Sequence, residues 1–175
     1  MSSVGVGSGW ILNLPPTVTG QIPEQWAAPA IAFGQALNAS FSTPVASLLK
    51  ANATVECGPN APPLILPIPA GKKWNAVRTS EDVYHNGQLV FSYQIDALGG
   101  GFTEADWVNV TSRGGSVGVG TVDLTAGLLS RGSAGEIGSP GEVDGATKLR
   151  WRCLGAKMGR VTLSSVDLYM ATPPS

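Results

Sequence analysis

The clearest alternation of apolar and polar side chains lies near the C-terminal end of the chain, at residues 147–154. Three apolar residues alternate there with three basic ones: Leu149, Trp151 and Cys153 with Lys148, Arg150 and Arg152. A period of two places successive side chains on opposite faces of a β-strand. The pattern therefore predicts a strand with one apolar face and one basic face.

A second strand is predicted at residues 160–170, and its apolar phase changes partway along. The first apolar phase contains Val161 and Leu163, and the second contains Val166, Leu168 and Met170. One extra residue in a strand turns all later side chains to the other face, so the change predicts a β-bulge at residues 164–165. Residues 155–159 are short enough for a hairpin loop, and we expect the two strands to pair.

Further alternating runs cover much of the remaining chain. We predict strands at residues 53–57, 64–68, 74–79, 88–97, 107–112 and 117–124. About eight short strands with turn residues between them predict an all-β protein, an antiparallel β-sandwich of the jelly-roll type. We expect the Gly-, Ser- and Val-rich residues 1–12 to form a flexible N-terminal arm and residues 13–175 to form the sandwich domain.

The pattern leaves residues 27–50 open between a helix and an irregular strand. Alanine is frequent there, and Phe33, Leu37 and Phe41 recur at the four-residue spacing of a helix face. Pro29 and Pro44 bracket the stretch and disfavour a continuous helix.

Composition supports the β fold and excludes some functions. Charged residues make up only 13% of the 175 residues, whereas Gly and Pro number 23 and 13. The net charge of −1 gives no electrostatic footprint for nucleic acid. The basic row at residues 148–152 is either the solvated face of a strand or a contact for an acidic partner. Because no apolar run could span a membrane and the first residues lack the features of a signal peptide, we expect synthesis in the cytoplasm.

The two cysteines, Cys57 and Cys153, lie far apart in the sequence. Cys153 falls on the apolar phase of its strand, which favours a buried free thiol. A disulfide would require an oxidising compartment. The sequence leaves open whether the two residues ever meet.

Candidate catalytic chemistry is weak. The single histidine, His85, lies with Glu81 and Asp82 in a polar turn that is more typical of a solvated loop than of a metal site. A hydrolase that uses Glu81, Asp82 or Asp106 is the least favoured hypothesis, because a glycosidase needs two carboxylates facing each other across a cleft. We therefore expect no enzymatic activity, no metal and no cofactor.

Aromatic residues are the better indication of a binding site. Trp74, Tyr84 and Trp107 fall beside loops or off the main apolar phase, and Trp26 lies in a turn. An exposed ring can stack on a sugar or anchor a protein contact. The alternative is that each ring caps one end of the sandwich core. We predict Trp74, Tyr84 and Trp107 as ligand-binding residues, with Trp107 the strongest candidate.

Several segments resemble those of a known class of domain. They are Asn13 with GQIPEQW at residues 20–26, GQLVFSYQIDA at 87–97, TKLRWRC at 147–153 and RVTLSSVDLY at 160–169. Together they resemble the opening, middle and closing strands of jelly-roll carbohydrate-binding-module-like domains. Domains of this kind occur in glycan-active enzymes and also in the surface proteins of bacteriophage virions, such as capsid decoration, fibre and tail proteins.

This resemblance implies a non-enzymatic structural protein of a virion that acts through protein–protein contacts. Its expected partners are other capsid or tail proteins and further copies of itself, without nucleic acid or membrane, and its expected location is the virion. The alternative function is a carbohydrate-binding module that recognises a surface glycan through exposed tryptophans.

Overall fold

The computed structural model describes residues 14–49, 51–99, 103, 106–110, 114–125 and 143–171. Its two helices are α1 (Glu24–Phe41) and α2 (Val83–Asn86). Its strands are β1 (Ala46–Ser47), β2 (Ala53–Glu56), β3 (Leu64–Pro67), β4 (Ala76–Glu81), β5 (Val90–Gly99), β6 (Val108–Asn109), β7 (Thr121–Leu124), β8 (Ala146–Ala156) and β9 (Arg160–Tyr169). The predicted arm at residues 1–12 lies outside the described residues. No helix in the described part of the chain is long and apolar enough to cross a membrane.

The strands form two antiparallel sheets that pack face to face. One sheet has the order β1-β9-β4-β7, with β2 also paired to β9, and the other has the order β3-β8-β5-β6. The prediction of an antiparallel β-sandwich is confirmed. Alternate residues of both sheets fill the core, and the largest fully buried side chains include Trp74, Trp151, Tyr93, Ile95, Leu149, Leu163 and Leu168.

The predicted β-bulge is present in β9. Ser80 of β4 pairs with Ser165, whereas the next residue, Glu81, pairs with Leu163, so Ser164 is skipped. The extra residue lets both apolar phases of β9 face the same core, as the sequence pattern required.

The predicted C-terminal hairpin is wrong. Strand β8 pairs with β3 and β5, whereas β9 pairs with β1, β2 and β4. The short connection after β8 therefore crosses from one sheet to the other. A hairpin and a sandwich corner have the same alternation and similar loop lengths, so the sequence pattern did not distinguish them.

The stretch at residues 27–50 is mostly helical. Helix α1 continues through Pro29 and ends at Phe41, whose ring contacts Tyr169 edge-on with 5.4 Å between the ring centroids. Strand β1 follows and pairs with β9. High helix propensity of the alanines outweighs the one backbone hydrogen bond that Pro29 removes.

The expected free thiol at Cys153 is also wrong. Cys57, which directly follows β2, forms a disulfide with Cys153 of β8, and the two Cα atoms are 4.7 Å apart. Because β2 belongs to one sheet and β8 to the other, the bond links the two layers covalently. The two cysteines are separated by 96 residues in the sequence, so their pairing depends on the tertiary fold.

A second link between the sheets is polar. Tyr93 of β5 donates a hydrogen bond of 2.5 Å from its hydroxyl to the Asp123 carboxylate of β7, and both residues are buried. The ring of Tyr93 also stacks on Trp151 of β8, with 5.7 Å between centroids. A buried polar group is stable only with such partners, so this contact fixes how the two sheets face each other.

Removing the disulfide should destabilise the fold. A double variant, Cys57→Ala with Cys153→Ala, is expected to lose about 2–4 kcal/mol of unfolding free energy because the unfolded chain gains freedom. Urea unfolding followed by tryptophan fluorescence measures the loss. Reduced wild-type protein, which keeps both thiols in the core, controls for lost packing and should move in the same direction. Equal urea midpoints for all three samples would contradict the prediction.

Candidate carbohydrate-binding face

The outward face of the β3-β8-β5-β6 sheet carries a row of side chains that crosses all four strands. Strand register places Ile65, Arg150, Asp96 and Asn109 side by side. Directly opposed residues of paired strands point to the same face, and neighbouring strands lie about 4.8 Å apart, so the row spans about 14 Å. We call this surface, together with Trp107, Gln94 and Arg152, the outer face.

Asp96 organises the centre of the outer face. Its side chain is only 2% exposed, and its Oδ2 accepts a hydrogen bond from Arg150 Nε at 2.9 Å and forms an ion pair with Arg152 Nη2 at 3.1 Å. Gln94 donates from Nε2 to the other carboxylate oxygen at 2.6 Å. A charge-assisted hydrogen bond is strong and directional, and together with the ion pair it holds both guanidinium groups in place.

Trp107 supports Arg150 from the side. The ring lies just before β6, and the Arg150 guanidinium carbon is 4.5 Å from the ring centroid. This distance is typical of a cation–π interaction, which is favourable by about 0.5–1 kcal/mol at partly exposed sites. The ring is half-buried, so part of its surface remains accessible.

The three predicted ligand-binding aromatic residues lie in different surroundings. Trp107 lies on the outer face. The predicted ligand-binding role of Trp74 required an exposed ring. This prediction is wrong, because Trp74 is fully buried in the sandwich core. Tyr84 is 97% exposed on α2, which follows β4 of the opposite sheet. The structure therefore does not gather the three rings into one surface.

The acidic residues of the hydrolase hypothesis have structural partners. Glu81 is buried, and its carboxylate accepts three backbone N–H bonds: from Leu89 at 3.1 Å, Val90 at 3.0 Å and Gly118 at 2.7 Å. This arrangement joins the end of β4 to the start of β5. The expectation of a solvated loop is therefore wrong for Glu81. Without its carboxylate, the three backbone N–H groups would be buried without an acceptor.

Two further acids act locally. Asp82 accepts a hydrogen bond from His85 Nδ1 at 2.8 Å, and His85 itself is mostly exposed. Asp106 accepts hydrogen bonds from the backbone and hydroxyl of Thr103, both at 2.9 Å. Among the described residues, no group of three or more His, Cys, Asp or Glu residues is placed to hold a metal ion.

Sequence reasoning named Arg150 only as part of a basic row and missed Asp96 and Gln94 as members of a site. The basic row of β8 was visible, but a carboxylate in the polar phase of β5 resembles any solvated strand residue. The pairing register of β5 with β8 brings these side chains together. An acidic residue that pairs with a basic strand would have indicated the site. Recognising it requires knowing which strands pair, and the sequence alone does not show this.

Comparisons with known proteins give a fold match. No protein-family model and no curated protein matches the chain. A solved Bacteroides ovatus protein assigned as an α-L-fucosidase superposes with a TM-score of 0.71 at 22% identity, over 99% of this chain and 25% of the other. A glycoside hydrolase 29 family member from an unknown rumen bacterium gives a TM-score of 0.68 at 20% identity, over 99% and 27%.

A third structure is a Ruminococcus gnavus GH29 fucosidase in complex with fucose, with a TM-score of 0.66 at 17% identity over 98% of this chain and 35% of the other. At these identities the likeness establishes the fold alone. The chain spans about a quarter to a third of the length of these three structures.

These matches correct the predicted relationship and function. The structures compared above are described as fucosidases or as a glycoside hydrolase rather than as phage virion proteins, so the prediction of a capsid decoration, fibre or tail protein is wrong. A sandwich like that of carbohydrate-binding modules is compatible with them.

Replacing Glu81 should destabilise the sandwich. In a Glu81→Ala variant three backbone N–H groups lose their acceptor, and we expect a loss of about 3 kcal/mol in unfolding free energy. The matched control is Glu56→Ala, because Glu56 is an exposed strand glutamate and should change stability by less than about 0.5 kcal/mol. Equal effects of the two substitutions in urea unfolding would show that the buried acceptor is unimportant.

Proposed function

We propose that this chain is a non-catalytic, carbohydrate-binding β-sandwich domain that accompanies the catalytic domain of an α-L-fucosidase-type glycoside hydrolase. The observation that carries the proposal is the outer face, where Trp107, Arg150 and Asp96 are held in a fixed arrangement. The fold that presents this face is shared with part of several fucosidase structures.

The outer face has the two kinds of group that sugar recognition requires. A sugar ring has an apolar C–H surface, which can pack on the accessible part of the Trp107 ring. Its hydroxyl groups need donors and acceptors in fixed positions. Arg150 and Arg152 supply donors, and Asn109 supplies both a donor and an acceptor beside Asp96.

Fucose is the sugar that the comparisons favour. Two of the structures compared above are described as fucosidases, and one of them was solved with fucose bound. A domain that binds a fucosylated glycan would keep the attached catalytic domain close to its substrate and raise its effective concentration there.

Two features support a non-catalytic role. The chain matches only a minor share of each enzyme's length. In addition, Glu81 is buried with its carboxylate taken up by backbone N–H groups, and Asp96 is paired with two arginines. A glycosidase instead needs two carboxylates open to a shared cleft.

A second candidate function, docking onto the catalytic domain, is favoured by helix α1. Glu24 is the one charged residue between residues 14 and 41, and the exposed side chains include Trp26 at 48% and Ile31 at 58%. A helix that is apolar on most sides is normally buried. Since the fold occurs within longer glycoside hydrolase chains, we propose that the remainder of such a chain covers this helix.

Loss of the Trp107 ring should weaken sugar binding. Trp107→Ala removes the stacking surface and the support of Arg150, and we expect the Kd for a fucosylated oligosaccharide to rise about tenfold or more. Isothermal titration calorimetry measures the change. Tyr84→Ala, which removes an exposed ring elsewhere, is the matched control and should bind like wild type. Unchanged affinity in Trp107→Ala would overturn the proposed site.

The apolar surface of α1 should be open in the isolated chain. A Trp26→Gln, Ile31→Gln double variant is expected to reduce the fluorescence of a bound hydrophobic dye by at least half. Its unfolding free energy should stay within about 0.5 kcal/mol per substitution, because exposed side chains contribute little to folding. Ile65→Gln on the outer face serves as the control. A marked loss of stability in the double variant would mean that the helix is packed within this domain.

A further inference from the structure

Two arginines on the outer face share one carboxylate oxygen. Arg150 Nε and Arg152 Nη2 both bind Oδ2 of Asp96, so two positive charges meet one negative charge. The chain as a whole has a net charge of −1. At Asp96 the arginines therefore outnumber the carboxylate by two to one, which the overall composition does not indicate.

The two guanidinium groups are held in fixed positions and remain partly exposed to solvent. Arg150 is held by Asp96 and by the Trp107 ring, and Arg152 is held by Asp96. Their side chains remain 22% and 34% exposed, respectively. A guanidinium group has five N–H donors, and each arginine uses one of them on Asp96. Donors that are already oriented lose little entropy when they bind a ligand.

We infer that the outer face recognises an anionic group on the glycan, either a sulfate ester or the carboxylate of a uronic acid, through Arg150 and Arg152. Arginine binds such planar or tetrahedral oxyanions with parallel hydrogen bonds, which a neutral hydroxyl cannot match. The inference rests on the proposed sugar-binding function and names the substrate class, an acidic fucose-containing glycan.

The arrangement of the strand supports an extended anionic ligand. Lys148, Arg150 and Arg152 follow one another at every second position of β8, so their side chains leave the same face about 6.7 Å apart along the strand. A single small anion would need only one of these basic side chains. A chain of charged sugars can contact successive ones, with Trp107 beside the middle of the row.

Calorimetric titration with three defined probes tests the inference. They are a sulfated fuco-oligosaccharide, the same oligosaccharide after desulfation, and an oligogalacturonate, all at physiological ionic strength so that unspecific attraction is screened. We expect at least one anionic probe to bind about tenfold or more tightly than the desulfated one. The sulfated and uronate arms identify which oxyanion is preferred.

Variants assign the effect to this surface. Arg152→Gln should abolish the preference for the anionic probe, whereas its loss of affinity for the desulfated probe should be much smaller because Arg150, Asn109 and the Trp107 ring remain. Arg160→Gln, an exposed arginine on the opposite sheet, is the matched control and should keep the preference. Circular dichroism of each variant confirms that the fold is retained.

The outcomes separate the inference from the function on which it rests. Equal affinity for sulfated and desulfated probes, with galacturonate no tighter, would overturn the acidic-glycan inference and keep the sugar-binding function. An anion preference that survives in Arg152→Gln would place the site elsewhere and also overturn the inference, whether or not Arg160→Gln keeps it. No binding of any probe would overturn both.

Discussion

The strict alternation of β8 is the constraint on which both the core and the candidate site depend. Its inward residues Leu149, Trp151 and Cys153 are buried, and its outward residues form the basic row. A slip of one residue against β5 would move the three buried side chains to solvent and the arginines into the core. The disulfide to Cys57 and the stack of Tyr93 on Trp151 both act on the inward face and oppose such a slip.

Polar groups inside the sandwich are placed where strands must be held in register. Asp123 accepts a hydrogen bond from the Tyr93 hydroxyl between the sheets. Glu81 accepts hydrogen bonds from three backbone N–H groups where β4, β5 and the turn at Gly118 meet. Each of these acids carries a structural role that a solvent-exposed acid would not have. The outer face uses a carboxylate in the same way, because Asp96 fixes the two arginines that remain partly open to solvent.

Local alternation was enough to predict most of the strands, the buried face of β8 and the bulge at Ser164. It was insufficient for questions that depend on which elements become neighbours. The connection after β8 crosses between sheets rather than forming a hairpin, and Cys57 meets Cys153 across the sandwich. Propensity alone left α1 undecided, because its alanines and prolines favour different structures.

The candidate site was predictable only in part for the same reason. Trp107 lies off the apolar phase of its segment and was predicted as a binding residue. Trp74 has a similar local pattern but is buried in the sandwich core, and its backbone pairs directly with that of Val143. The role of Asp96 follows from the register of β5 with β8, which no single-strand pattern contains. Assignment to virion proteins failed because short strand motifs are shared by unrelated sandwich proteins.

The central claim is that a sugar binds on the outer face of the β3-β8-β5-β6 sheet. The most direct test is a nuclear magnetic resonance titration of the isotope-labelled chain with a fucosylated oligosaccharide. The account predicts that the largest shift changes fall on the Trp107 indole N–H, on the Nε–H groups of Arg150 and Arg152, and on the backbone of β5 and β8. Changes confined to α1 or to the β1-β9-β4-β7 sheet would contradict it.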